Sequence, residues 1–284
     1  MDTAKEKEWD LIIEPQSSWL ALNIKEVWRY RDLFLLMVKR DITTVYKQTI
    51  LGPVWFFLQP ILTTFIFTLI FGKIAHLSTD GIPPVLFYLS GLILWNFFSE
   101  TLVNTSKTFV ENAPIFGKVY FPRLVMPLAK TTSGFLKFII QFLLFVVVLF
   151  YYKIQGVALV WNTSLLLIPY LMLLMAGLGL GSGILLSALT TKYRDLIFLI
   201  NFGVQLMMYA TPVIIPFSSV PLKYQWIMGL NPMTSIIETF RHACMGTSIV
   251  SYTGLAYSTG FMIVLLFVGV IVFNKVEKSF IDTV

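Results

Sequence analysis

Charge is what this chain most conspicuously lacks. Asp, Glu, Lys and Arg make up 13% of its 284 residues, against about 25% in a soluble globular domain. So few charges could not cover the surface of a water-soluble domain of this size, which excludes a soluble enzyme and a disordered chain. Cysteine is reduced to Cys244 alone; it cannot close an internal disulfide, so a disulfide-built secreted module is excluded too. The two histidines, His76 and His242, fall in connections between apolar runs, which leaves no His cluster for zinc and no Ser–His dyad for proteolysis within a membrane. No Walker A motif occurs. The one glycine-rich run, Gly177 to Gly183, has no Lys after it and no strand before it, so it is not a phosphate loop. The chain therefore carries no cofactor site and does not hydrolyse ATP itself.

Carboxylates are also absent from the middle of every long apolar run. Proton- and sodium-coupled carriers place ionisable groups there, so ion coupling through this chain is not expected. Glu100 comes nearest to an exception, and its place beside basic residues suits an interfacial ion pair. Residues 48–152 and 154–274 show no convincing repeat, which speaks against an inverted-repeat carrier.

What is abundant is apolar surface: 57% of residues are hydrophobic. A spanning helix needs about 20 predominantly apolar residues, and the gaps between charges supply six such runs. The expected spans are 51–72, 83–104, 131–152 (tolerating Lys137 near its start), 163–190, 196–216 and 254–274. If the N-terminus is cytoplasmic, 17 Lys and Arg fall on the inner side and four on the outer. That asymmetry supports both the span count and cytoplasmic termini, with 276–284 as an inner tail. The net charge of +6 then reflects topology and contact with anionic lipid rather than nucleic-acid binding. The extreme N-terminus has no apolar core, so a cleavable signal peptide is not expected.

Three segments depart from plain spans. Within the cytoplasmic arm, 1–50, the apolar stretch Leu33 to Val38 is too short to cross. Val27, Tyr30, Phe34, Met37, Val38 and Val45 share one side at helical spacing, flanked by Arg29, Arg31, Lys39 and Arg40. This reads as an amphipathic helix on the membrane surface, or as a short soluble helix packed on the membrane domain. In the inner loop 107–130, Asn112-Ala-Pro114 offers a cap and start, and Ile115, Phe116, Val119 and Tyr120 form an apolar stripe. That short helix docks either on its own bundle or on a partner subunit. In the outer connection 217–247, Pro221 to Gly229 (with Trp226) and the start signal Asn231-Pro232 predict two helices too short to span yet too apolar for a loop. They read as a re-entrant hairpin acting as a gate, or as a pair lying flat at the interface. Gly177/Gly181 and Gly179/Gly183 make two interleaved small-xxx-small pairs that permit close helix approach. Trp55, Phe198, Phe202 and Tyr209 either face lipid or line a pathway; aromatic faces suit the C–H surfaces of sugars.

Taken in order, Trp28-Arg-Tyr-Arg-Asp32, Lys39-Arg-Asp41, Tyr46-Lys-Gln-Thr-Ile-Leu-Gly52 and Trp55…Gln59-Pro60 resemble the membrane subunits of ABC-type polysaccharide exporters. Gly91-Leu-Ile-Leu-Trp95-Asn-Phe-Phe98, Lys118-Val-Tyr-Phe-Pro-Arg123, Tyr193-Arg-Asp195, Thr211-Pro212, Asn231-Pro232 and Val276-Glu277-Lys278 continue the match. The resemblance covers roughly residues 20–284. It implies an all-α homodimer in the cytoplasmic (inner) membrane, each subunit with six spans, and two cytoplasmic ATPase subunits that bind the ATP and Mg. The substrate it implies is a lipid-linked O-antigen, capsule or teichoic-acid polymer. By the same resemblance residues 25–49 form the interfacial helix, where Arg29, Arg31, Lys39 and Arg40 meet lipid or a pyrophosphate headgroup. Asn112 to Phe121 becomes the coupling helix to the ATPase, and Pro221 to Gly246, with Trp226, Gly229, Asn231 and Pro232, the outer gate. Trp55, Phe198, Phe202 and Tyr209 become channel-lining. An ABC exporter of a lipid or drug, and an ATP-independent carrier or channel, are the alternatives.

Overall fold

The computed structural model describes residues 24–47, 50–116, 118–119, 121–157, 159–160, 163–247 and 250–281. Among these the chain is helical throughout, with no strand. Two helices come first, α1 (Ile24–Arg29) and α2 (Arg31–Tyr46). Gly52–Ile74 follows as one apolar segment. It opens on a 3-10 turn, runs as α3 (Trp55–Phe67) with Pro60 inside it, and closes in π-helical turns over Thr68–Ile74. Departures from α-helical geometry thus sit at the two ends of the segment rather than at Pro60.

After α4 (Pro84–Ser106) a single residue, Lys107, separates α5 (Thr108–Phe116). Then come α6 (Val125–Ile154), α7 (Ile168–Lys192, led in by a 3-10 turn at Thr163–Leu167) and α8 (Leu196–Tyr209). The chain ends with α9 (Leu222–Gly229), α10 (Pro232–Met245) and α11 (Tyr252–Ile281). Proline opens α4 and, as the Asn231-Pro232 signal predicts, α10: its fixed φ suits the first helical turn, where the missing N–H costs nothing.

Five segments are long and apolar enough to cross a membrane: Gly52–Ile74, Pro84–Ser106, Val125–Ile154, Thr163–Lys192 and Tyr252–Val276. Of the span expected at 196–216, the helix α8 covers only the first 14 residues. At about 1.5 Å per residue it reaches roughly 21 Å, short of a hydrocarbon core of about 30 Å. Thr211-Pro212 explains the stop: proline cannot donate into the helix, and the residue before it is pushed out of helical geometry. The chain continues through turns to Pro216.

Hydropathy does not rank these segments by depth. Pro84–Ser106 has the lowest mean hydropathy of the five, 1.3, and is by far the most enclosed, with 78% of its best window buried. Tyr252–Val276 has the highest, 2.4, and only 22% buried. The physical reason is that lipid is as apolar as leucine. Small and polar residues therefore gather where helices meet each other, and the most apolar surfaces face outward. Ser90, Thr101, Thr105 and Ser106 of α4 are all buried.

The glycine run supplies the closest contacts. The two interleaved pairs face opposite ways. Gly179 and Gly183 abut α4 at Thr101 and Thr105, while Gly177 and Gly181 abut α11 at Met262 and Leu265–Leu266. Helix α7 is thereby held between α4 and α11, its most extensive neighbours. Thr190 Oγ1 adds a hydrogen bond across to the Ser106 carbonyl, 2.6 Å.

Candidate functional site

Both ends of the bundle carry elements that do not span. At one end α2 lies along α6. Met37 and Val38 are buried in a cluster with Phe109, Phe116, Phe121, Val125, Met126 and Phe273, against which Val27, Tyr30 and Phe34 also pack. The apolar side expected from helical spacing is therefore the docked side (Val45 lies outside the described side chains). The basic residues separate from one another: Arg29, Arg31 and Lys39 are exposed, whereas Arg40 is half-buried and chelated by Asp41 at 2.8 and 3.0 Å. A charge network follows. Lys130 lies 3.7 Å from Asp41 and 3.4 Å from Glu111, tying α2, α5 and α6 together.

Lys137, tolerated near the start of its expected span, meets Glu100 at 2.6 Å across the α4–α6 contact, its ammonium over the Phe56 ring. Glu100 is thus the ion-pair member that its surroundings suggested, with its partner 37 residues away. These groups line a cavity of about 450 Å³ between α2, α4, α5 and α6.

The short inner helix begins earlier than expected. Asn112 is not its cap but a buried residue inside α5, its amide donating to the Thr108 carbonyl at 2.9 Å. Pro114 sits within the helix rather than at its start. The backbone of α4 is interrupted only at Lys107, so α5 can begin four residues before the Asn-Ala-Pro signal. Phe116 is buried between Phe109 and Phe121 with the Arg123 guanidinium over its ring, 5.3 Å from the centroid. Ile115 is half-buried and Val119 is 57% exposed. The predicted stripe therefore divides into an anchor, Phe116, and an outward part, Val119. Tyr120 lies outside the described residues.

At the other end, α9 and α10 differ sharply. Most of α9 is exposed, Trp226 to 64% and Pro221 and Gly229 likewise, with Met228 its buried residue. Gly229 is the last helical residue rather than the one beyond it. By contrast α10 is embedded: Met233, Ile236, Ile237, Phe240 and Ala243 belong to the main apolar core. Its start matches expectation. Asn231 caps it by accepting from the Met233 N–H at 3.0 Å, Pro232 occupies the first turn, and Gly246 ends it at φ +74°. The Asn231 amide also donates to Thr211 Oγ1, 2.8 Å, which joins the two Xaa-Pro steps.

Arg241 is the functional candidate that sequence reasoning missed, having counted it only as an outer charge. It is fully buried, with its guanidinium 3.6 Å over the Phe87 ring. It donates to the carbonyls of Pro212, Phe87 (3.1 Å) and Val213 (3.4 Å), to Ser90 Oγ (3.4 Å) and to Glu238 (3.4 Å). Burial pulls the guanidinium down from its ordinary value to about 10, opposed by Glu238 and Asp80; it remains a cation at neutral pH. One side chain thereby clamps the end of α8, the start of α4 and α10. Gly91 makes room for it: a Cβ there would lie 2.8 Å from the guanidinium and 3.1 Å from Val213 Cα. The only legible signal for this was an Arg among the apolar residues of 232–245.

Beside the clamp, Asp80 at φ +52° accepts from Ser218 Oγ at 2.6 and 2.8 Å, pinning the α3–α4 connection to the turn before α9. A cavity of about 550 Å³ opens there between this connection, α10 and the start of α11.

The aromatic candidates are placed on two different helices. Phe198, Phe202 and Tyr209 fall on one exposed stripe of α8 (79%, 58% and 60%), and Trp55 is 45% exposed on α3. Helix α8 has one buried residue, Val204, and rests mainly on α4 and α7, whereas α3 rests on α4 and α6. The subunit leaves both of these apolar faces largely uncovered. Among the described residues no group of His, Cys, Asp and Glu is arranged to hold a metal.

A family model described as ABC-2 type transporter matches residues 32–245. Among curated proteins, the chain is 31% identical to the O-antigen export system permease protein RfbA of Klebsiella pneumoniae. That match runs over 253 residues, 88% of this chain and 94% of that protein. It is 24% identical over 264 residues to the RfbA permease of Myxococcus xanthus, covering 92% and 98% of the two chains. It is also 24% identical over 249 residues to the polysialic acid transport protein KpsM of Escherichia coli, covering 86% and 93%.

Proposed function

Because this chain belongs to the ABC-2 type transporter membrane family, we propose that it is the membrane subunit of an ATP-driven exporter that moves a lipid-linked polysaccharide outward. The observation that carries this reading is the full-length similarity to permeases of O-antigen and capsule export, aligned nearly end to end with each. Six crossings are reached if α8 and the turns after it complete the fifth. The strong bias of Lys and Arg then puts both termini in the cytoplasm.

Two copies pair through the uncovered faces of α3 and α8. Burying apolar and aromatic surface of this extent favours a partner over solvent, and a passage between the copies would present Trp55, Phe198, Phe202 and Tyr209 to sugar C–H faces. Driving energy comes from a separate ATPase that binds ATP and Mg. It meets the chain at the outward part of the α5 segment, around Ile115 and Val119, while Phe116 anchors that segment to the subunit. ATPase closure pushes α5. The push reaches α2 and α6 through Lys130, and reaches α3 through the Lys137–Glu100 contact beside Phe56. At the opposite end α9, carrying Pro221, Trp226 and Gly229, moves as a gate against α10, which Asn231, Pro232 and Arg241 hold in place. The exposed Arg29, Arg31 and Lys39 meet anionic headgroups.

Deletion of the gene should abolish surface polysaccharide and leave lipid-linked polymer inside, and the intact gene should restore export. Export that persists after deletion, or that survives ATP depletion, refutes the reading.

A further inference from the structure

The cavity beside the Arg241 clamp has a chemistry of its own. Its walls carry two carboxylates, Asp80 and Glu238, hydroxyls that include Ser251 and Thr253, and the aromatic rings of Phe217 and Tyr257. Among the described residues, no Lys, Arg or His lines it. The nearby cation, Arg241, is fully buried and donates to backbone carbonyls and Glu238 rather than into the cavity. At about 550 Å³ it falls within the size range of small-ligand pockets. A carboxylate only accepts hydrogen bonds, at about four lone-pair sites, so Asp80 keeps acceptor capacity beyond its contacts from Ser218 and Ser78. Tyr257 is fixed by donating to the Leu230 carbonyl at 2.9 Å, which leaves its ring as a rigid wall.

Acceptors beside aromatic faces, with no cation present, select a ligand that brings many donors and an apolar edge but no negative charge. We infer that this cavity binds a saccharide unit free of acidic groups, holding a sugar of the exported polymer at the far end of its path. The inference rests on the proposed export function and adds a selectivity to it. Arg241 balances Glu238 but leaves the Asp80 carboxylate as net negative charge at the wall, so an anionic unit such as phosphate, pyrophosphate or sialic acid is rejected here.

The test uses the purified full-length chain with its ATPase in nanodiscs and saturation-transfer NMR. Mannobiose and galactobiose serve as neutral probes and disialic acid as the acidic one. The neutral disaccharides should show transfer and compete with each other, and disialic acid should show none. Thr253→Trp, at an exposed wall position, fills the cavity and should abolish the transfer. Asp80→Asn should weaken neutral binding about tenfold, as expected for one charge-assisted hydrogen bond. In cells, export should fall several-fold in Thr253→Trp. Absence of transfer from both neutral sugars, equal binding of disialic acid, or unchanged transfer or export in Thr253→Trp overturns the inference while the export function stands. Intact surface polysaccharide after gene deletion instead overturns the export function itself.

Discussion

Replacing Gly183 by alanine tests the central packing of the subunit with a single methyl group. A Cβ at this position lies 2.5 Å from Thr105 Cβ and 2.8 Å from the Leu102 carbonyl oxygen. Carbon atoms pack best at about 3.5–4.0 Å, so α4 and α7 must part by roughly 1 Å. Neither opposing atom sits at the end of a flexible side chain, so relief requires movement of the main chain. Overpacking of this kind costs about 1–3 kcal/mol. Against it stands the roughly 1 kcal/mol that alanine gains over glycine in a helix interior. The clash wins, and a net loss of about 1–2 kcal/mol is expected. Gly260→Ala in α11 is the matched control, because nothing lies within 4 Å of its Cβ; it should gain about 0.5–1 kcal/mol. Gly177→Ala should fall between them, since the atoms it meets belong to the flexible Met262 side chain. Reversible unfolding in mixed detergent–SDS micelles reads all three. If Gly183→Ala matched the parent while Gly260→Ala gained, the α4–α7 contact would not be as close as described.

Three further outcomes follow from the packing. Arg241→Met should cost about 3–5 kcal/mol by removing the buried cation from Glu238 and the donor from the Pro212 and Val213 carbonyls. Gly91→Ala should reproduce much of that loss, both read by thermal unfolding in detergent; near-parental stability of Arg241→Met would show that the clamp holds nothing. Val119→Asp should keep the fold but lose ATPase association and export, whereas Phe116→Asp should lose the fold as well, at no less than the roughly 3–5 kcal/mol of a core Phe→Ala change. Pull-down of the ATPase alongside the melting temperature separates the two, and a Val119→Asp chain that binds and exports normally would remove α5 from the coupling role. Finally, Glu100→Gln should leave export intact and cost about 1 kcal/mol or less, since the pair is partly solvated. A double-mutant cycle with Lys137→Met measures the pair, and loss of export in a stable Glu100→Gln chain would reopen ion coupling.

Much of the architecture was legible residue by residue. The boundaries of four apolar runs, the capped start of α10 at Asn231-Pro232, and the docked side of α2 follow from spacing alone, because each depends on neighbours within a turn or two. The start of α5 was misplaced because Asn112 and Pro114 carry a start signal even where a helix already runs through them. The stripe at Ile115–Tyr120 was seen as one face, yet Phe116 turns inward and Val119 outward. No local pattern distinguishes a docking residue from an anchor. The uncovered aromatic stripe of α8 was readable from Phe198, Phe202 and Tyr209 at helical spacing.

Composition and spacing by themselves decided that this is a membrane chain with no Walker A motif and no carboxylate in the middle of its long apolar runs. Those properties depend only on which residues are present and how far apart they lie relative to the thickness of a bilayer. Tertiary structure alone decided that the least hydrophobic segment, α4, sits at the centre, because helices pack on small and polar faces while lipid takes the most apolar ones. It also decided that the glycine pairs face different neighbours, that Glu100 belongs to Lys137, and that Arg241 reaches a carbonyl 154 residues away. Contacts of that range arise from which surfaces meet once the bundle has closed, and no spacing along the chain encodes them.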